Sequence, residues 1–69
     1  MQPEIGKTYE IVRVTNDSFH IKVIKIESEW ITGEITKIIT RHHRTRNYQI
    51  GDIRSTHADY WKSIKEVKP

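Results

Sequence analysis

The stretch FHIKVIKI, residues 19–26, decides the fold class, because apolar and polar side chains alternate along most of it. Phe19, Ile21 and Val23 share one face of an extended chain, and the residues between them lie on the other face. At Val23 the alternation shifts by one residue, so that Ile24 continues the apolar side chains on the face that was polar. Such a shift turns every later side chain to the opposite face, and we therefore expect a β-bulge or sharp bend near Val23.

The segments on either side of this stretch have the same strand character. KTYEIVRV, residues 7–14, precedes it after a turn predicted at 16–18, and EWITGEITKII, residues 29–39, follows it after a turn predicted at 27–29. Gly33 interrupts the last of these segments and indicates a bend or a close approach of another backbone. Three consecutive antiparallel strands are the simplest interpretation.

The third segment also fits a helix, because Ile35, Ile38, Ile39 and His42 have the spacing of one helical face. Five of the six residues from 35 to 40 are β-branched, however, and lose side-chain freedom in a helix. We therefore predict a strand here.

The C-terminal third predicts two more strands. YQI, residues 48–50, is predicted to be the fourth strand, followed by a turn or bulge at Gly51-Asp52. THADYWKSIKEV, residues 56–67, fits either a helix of three turns or one helical turn at 57–61 followed by a strand at 63–67.

The start of this last segment resembles a capping box, in which Thr56 and Asp59 begin a helix. We favour the single turn followed by a strand.

These elements together resemble a small SH3-like barrel of the kind found in bacteria and their phages. The resemblance rests on IKVIKIESEWITGEI at 21–35, on YQIGDI at 48–53, and on a one-turn helix before the last strand. It implies an all-β fold of about five strands, with a short helical turn near residues 57–61, that forms a single domain over residues 1–69. The peptide-binding stretch of true SH3 domains and the uridine-binding motifs of Sm-like proteins are absent, so neither function follows from the resemblance.

Composition limits what the protein can be. The chain of 69 residues is too short for a second core, and without cysteine it has neither disulfides nor thiolate metal ligands. The first residues contain no basic segment followed by an apolar run, so we expect no secretory signal, and no apolar run reaches the roughly 18 residues that a membrane span needs. We expect a cytoplasmic protein, encoded by a cell, a phage or a plasmid, that is a monomer or a weak homo-oligomer.

Positive charge concentrates in the second half of the chain. Residues 1–35 contain four Lys or Arg and six Asp or Glu, whereas residues 36–69 contain eight and three. The densest basic run is RHHRTR, residues 41–46, and guanidinium groups can bind phosphates in bidentate fashion. This pattern predicts weak, backbone-directed binding of RNA or DNA, with Tyr48 or Trp30 available to stack on bases. The predicted basic contacts are Lys37, Arg41, Arg44, Arg46 and Arg54.

Other functions have weaker support in the sequence. His42 and His43 are adjacent and would point to opposite sides of a strand, which is poor geometry for a metal, so we expect no metal or other cofactor. His57 and Asp59 could orient a catalytic imidazole, but no serine lies in a recognisable nucleophile turn, so we expect no enzyme.

The alternative function is a protein-interaction module, such as an accessory factor that binds no nucleic acid. The aromatic residues Trp30, Tyr60 and Trp61 are expected to lie in the core, where such side chains bury the most area. If Trp30 instead faces outward beside Glu34, it becomes the best candidate for a contact with a protein partner.

Overall fold

A computed structural model describes residues 3–40 and 48–68, which form one antiparallel sheet that does not close on itself. Its strands follow the order β4-β3-β2-β1-β5, and a single turn of 3-10 helix at Ala58–Tyr60 links the last two strands in sequence. The predicted all-β class is confirmed. In the described part of the chain, no helix is long and apolar enough to cross a membrane. The strands are β1 (Thr8–Arg13), β2 (Ser18–Glu27), β3 (Trp30–Thr40), β4 (Ile53–His57) and β5 (Trp61–Val67).

The predicted bulge in β2 is present. Val23 lies opposite Gly33 in β3 and Lys25 lies opposite Thr32, which leaves Ile24 as an extra residue without a partner. Val23 is fully buried while Ile24 is 50% exposed. Beyond the bulge, Ile26 lies opposite the buried Ile31 and so returns to the face of β2 that holds Val23.

At Gly33, the backbone of β3 approaches the backbone of β2 very closely. The prediction of a strand here, and not a helix, is confirmed. A Cβ atom built at Gly33 would collide with the carbonyl oxygen of Lys22 and would lie 2.8 Å from Cγ1 of Ile21. Only a residue without a side chain allows the two strands to pack so tightly at this point.

One face of the sheet, here called the inner face, holds the core, and the opposite face is called the outer face. The indole Nε1 of Trp61 in β5 donates a hydrogen bond to the hydroxyl of Thr56 in β4 at 3.0 Å. This bond joins the two edge strands across the inner face, because the sheet curls around its core. The core consists of Tyr9, Ile11, Phe19, Ile21, Val23, Ile31, Ile35 and Tyr48, with Ile38, Trp61 and Ile64 packed against it.

The prediction of a strand at residues 48–50 is wrong, although the predicted bulge after it is present. The carboxylate of Asp52 accepts a hydrogen bond from the backbone N–H of Gln49 at 2.9 Å, and the N–H of Asp52 donates to the carbonyl of Gln49 at 3.0 Å. The backbone N–H of Gly51 donates to the carbonyl of Ile35 at 2.7 Å, and the N–H of Ile35 donates to the carbonyl of Asp52 at 2.9 Å. Two residues of this segment therefore lie opposite one residue of β3, which is the bulge. The Asp52 side chain thus folds the backbone into a turn before β4 begins.

The single helical turn followed by a strand is confirmed, but its predicted cap is wrong. His57 occupies the cap position, and its Nδ1 accepts a hydrogen bond from the backbone N–H of Asp59 at 3.0 Å. Thr56 is instead a buried residue of β4 that accepts the bond from Trp61. The capping-box pattern fails because strand pairing with β3 continues through His57.

Candidate nucleic-acid interface

The predicted basic residues Lys37 and Arg54 lie on opposite faces of the sheet. Arg54 is paired with Gly33, which is paired with the buried Val23, so Arg54 belongs to the inner face. Lys37 is paired with His20, the neighbour of the buried Ile21, and belongs to the outer face. The predicted basic contacts therefore do not all share one face, because an extra residue in β3 precedes Lys37.

A different arginine, Arg13 at the end of β1, shares the inner face with Arg54. Both line a cavity of about 140 Å³ whose other walls come mainly from the core. Phe19 and Tyr48 contribute aromatic surface to it, and Thr56 lies at its β4 side. The cavity combines two guanidinium groups with an apolar floor, and we call it the arginine pocket.

Arg13 has one ion pair and one buried donor without a partner. Its Nη1 lies 3.3 Å from Oδ2 of Asp17, while its Nε is buried and has no hydrogen-bond partner among the described residues. A buried donor without an acceptor costs about 1–3 kcal/mol.

Asp17 fixes the position of Arg13. Its side chain is fully buried, and its carboxylate accepts hydrogen bonds from the hydroxyl of Tyr48 at 2.9 Å and from the hydroxyl of Thr15. Burial alone would raise the pKa of Asp17, but these hydrogen bonds and the charge of Arg13 together lower the pKa below its usual value. Asp17 therefore remains ionised and holds its partners in place.

Arg54 has a looser environment than Arg13. Its guanidinium lies 3.5 Å from the carboxylate of Asp52, and both side chains are close to half exposed. Exposed ion pairs of this kind contribute about 0–1 kcal/mol. The ion pair with Asp52 therefore contributes little to stability.

Tyr48 does not serve as a surface stacking platform, contrary to the prediction. Its ring is 6% exposed and packs edge-to-face against Phe19, with ring centroids 5.4 Å apart. Its hydroxyl is held by the buried carboxylate of Asp17. The ring forms part of the wall of the arginine pocket and does not present an open face to a nucleobase.

Arg41, Arg44 and Arg46 lie in residues 41–47, outside the described residues, but the two ends of that segment are placed. Thr40, immediately before it, is paired with Ser18. Tyr48, immediately after it, donates its hydroxyl hydrogen bond to Asp17. Both ends are thus fixed at the same turn, between β1 and β2, from which Asp17 holds Arg13.

The predictions for the remaining aromatic residues have mixed outcomes. Trp61 packs against the core, but Trp30 and Tyr60 are 45% and 52% exposed, so their predicted core positions are wrong. Trp30 lies on the outer face, in the same strand and on the same side as Glu34. Because the arginine pocket opens on the inner face, Trp30 cannot stack on a ligand bound there.

Glu29, His57 and Asp59 form the one His and carboxylate cluster that the structure brings together within residues 3–40 and 48–68. Nε2 of His57 lies 3.4 Å from Glu29, and Nδ1 lies 3.6 Å from the carboxylate of Asp59 while accepting its backbone N–H. One nitrogen of His57 and one oxygen of each carboxylate all lie within 4.8 Å of one another, although both carboxylate side chains are exposed. Exposed acidic groups of this kind are common in proteins without a bound metal ion.

Arg13 is the functional candidate that reasoning from sequence missed. Tyr9, Ile11 and Arg13 are spaced by two residues, which places all three on the buried face of β1. A charged residue that continues an apolar alternation is a signal for a buried or pocket-lining charge. The position of Arg13 in the alternation of β1 could therefore have identified it from the sequence.

Comparisons of the chain with protein-family models, with curated protein sequences and with solved structures found no match.

Proposed function

We propose that this protein is a non-enzymatic binding module that holds the phosphate backbone of RNA or DNA at the arginine pocket. The observation that carries the proposal is that Arg13 and Arg54 line the same cavity, and that Nε of Arg13 has no hydrogen-bond partner among residues 3–40 and 48–68. A phosphate oxygen is an acceptor of the charge and size that a guanidinium pair binds.

The arginines of the segment 41–47 extend this site. In the sequence, Arg41 follows Thr40 directly and Arg46 precedes Tyr48 by two residues, and both Thr40 and Tyr48 are anchored beside the turn that positions Arg13. Arg44 is four residues from either anchor. Together with Arg13 and Arg54 they supply up to five cations to one strand of phosphates.

The mode of binding follows from the position of the aromatic rings. Tyr48 is buried and Trp30 lies on the outer face, so neither stacks on a base at this site. Affinity then comes from phosphate contacts, which carry no sequence information. We expect binding that depends strongly on salt and weakly on sequence.

The fold proposed for this module is an SH3-like barrel. Support comes from five bent antiparallel strands in the order β4-β3-β2-β1-β5, the turn at Gly51-Asp52, and the 3-10 turn that precedes the last strand. A solution structure in which β4 and β5 do not approach each other across the core would contradict this assignment.

The test is the titration of labelled single- and double-stranded oligonucleotides at several salt concentrations. Four to five phosphate contacts predict that the logarithm of affinity for duplex falls against the logarithm of salt with a slope of roughly −3.6 to −4.5. A variant with Arg41, Arg44 and Arg46 changed to Gln should reduce that slope by about 2.7, and Arg54→Gln by about 0.9. Absence of binding at low salt would contradict the proposal.

A matched control uses lysines of the outer face. Lys25, Lys37 and Lys65 pair with Thr32, His20 and Glu10, all on that face. Changing these three lysines to Gln removes the same charge as the triple arginine variant. The slope should nevertheless change by no more than about 0.9, the contribution of one phosphate contact. If the slope decreases equally in the two triple variants, net charge and not the arginine pocket accounts for binding.

A further inference from the structure

Three aromatic rings form a row on the surface where β3, β4 and the 3-10 turn meet. The ring centroids of Trp30 and His57 are 5.0 Å apart with an interplanar angle of 78°, and those of His57 and Tyr60 are 6.2 Å apart at 70°. Trp30 and Tyr60 are each about half exposed. Adjacent exposed aromatic side chains, unlike scattered ones, mark interaction sites.

Carboxylates surround this aromatic row. Glu29 and Asp59 flank the two nitrogens of His57, and their side chains are 64% and 78% exposed. Glu27 lies opposite Trp30 in the neighbouring strand.

The ring of His57 is held between a backbone N–H and a carboxylate. Its Nδ1 accepts the backbone N–H of Asp59, which assigns the ring proton to Nε2, on the side of Glu29. The row is therefore an acidic and aromatic surface on a chain whose net charge is +3.

We propose that the aromatic row, with Glu29 and Asp59, binds an arginine or lysine side chain of a protein partner. The face of an indole or phenol ring is electron-rich and attracts a cation within about 6 Å of the ring centroid. The two exposed carboxylates supply acceptors for the N–H groups of that cation. Arginine is the better fit of the two, because its planar group stacks on rings and binds carboxylates at the same time.

This site is independent of the arginine pocket and has the opposite charge. Three carboxylates stand at the row (Glu27, Glu29 and Asp59), and the ion pair between Lys25 and Glu27, at 2.8 Å, neutralises one of them. The remaining negative charge repels a nucleic-acid backbone. Charge complementarity therefore selects a basic segment of a protein as the occupant.

The first experiment measures the unmodified protein by NMR in the presence of EDTA. The probes are a peptide of alternating arginine and glycine and the same peptide with citrulline, which has the shape of arginine without its charge. The indole resonance of Trp30 should shift, while that of Trp61, bonded to Thr56 inside the fold, should not. The arginine peptide should bind at least about fivefold more tightly, and equal affinity of the two peptides would overturn the proposal.

The second experiment uses matched variants. Trp30→Ala and the pair Glu29→Gln with Asp59→Asn should each weaken binding of the arginine peptide by about fivefold or more. Ile24→Ala removes another half-exposed apolar side chain, and Glu34→Gln another outer-face carboxylate, so both should bind normally. Equal binding by all four variants would overturn the proposal.

Sedimentation measurements complete the test, because a second copy of the chain also supplies arginines. Self-association that Trp30→Ala abolishes, in a protein that does not bind the arginine peptide, would assign the row to a homodimer contact and overturn the proposal. Peptide binding by a monomer supports it.

Discussion

Replacement of Asp17 by Asn should lower the free energy of unfolding by about 2–3 kcal/mol at neutral pH. The buried carboxylate accepts hydrogen bonds from Tyr48 and Thr15 and lies 3.3 Å from Nη1 of Arg13. Hydrogen bonds to charged groups contribute about 1.5–3 kcal/mol. The Arg13 side chain is 28% exposed, so water replaces part of the lost partner and the full cost of a broken buried ion pair, about 3–5 kcal/mol, is not reached.

This loss is large for so small a domain. At roughly 0.05–0.15 kcal/mol per residue, a chain of 69 residues has a total stability of about 3–10 kcal/mol. The midpoint of thermal unfolding should fall by about 10–20 °C. Urea and thermal unfolding followed by tryptophan fluorescence and circular dichroism measure both quantities. The control is Asp59→Asn, which removes the same charge from an exposed side chain and should change stability by less than about 0.5 kcal/mol.

The pH dependence provides a separate test of the same reasoning. The pKa of Asp17 is lower in the folded protein than its unfolded value of about 3.9. Its contribution to stability is therefore complete above pH 4 and is lost as the pH falls through the folded pKa. The difference between the native protein and Asp17→Asn should be widest near pH 7 and should narrow below about pH 4. A difference under about 0.5 kcal/mol at pH 7, or one that stays constant down to pH 2.5, would refute this account of Asp17.

Four further substitutions test how the sheet is built. Gly33→Ala should lower the free energy of unfolding by about 3 kcal/mol, because its Cβ collides with the backbone of Lys22, which cannot rotate away; urea unfolding that matches the native protein would contradict this. Val23→Ala should cost about 2 kcal/mol and Ile24→Ala less than about 0.5 kcal/mol, since the bulge buries one and exposes the other. Similar costs in the same assay would argue against the bulge. Trp61→Phe should cost about 1 kcal/mol through loss of the hydrogen bond that its indole donates to β4, and an unchanged thermal midpoint would contradict that role.

The strand content could be predicted from sequence because it depends on local patterns. The shifted alternation at Val23 predicted a bulge that the pairing with Gly33 confirms. The β-branched run after Gly33 likewise predicted the strand over a helix with the same spacing. The predicted strand at 48–50 was wrong because the side chain of Asp52 bonds to the backbone of Gln49, a contact that apolar patterning does not reveal.

The candidate site was much less predictable, because it depends on which faces and strands meet. Lys37 and Arg54 were predicted to belong to one set of basic contacts, yet an extra residue in β3 puts them on opposite sides of the sheet. Tyr48 was predicted at the surface and is buried, since a carboxylate from another turn, Asp17, binds its hydroxyl.

The sequence by itself therefore determined β1, β2, β3 and β5, the bulge at Val23 and the tight contact at Gly33, all of which follow from backbone preference and the two-residue period of side chains. Only the tertiary structure decided which charges are neighbours. Arg13 and Arg54 are 41 positions apart in sequence and come to one pocket because the sheet curls, while a single extra residue sends Lys37 to the other face. The positions of these charged side chains depend on the pairing of strands that are distant in sequence, and a local sequence pattern does not reveal that pairing.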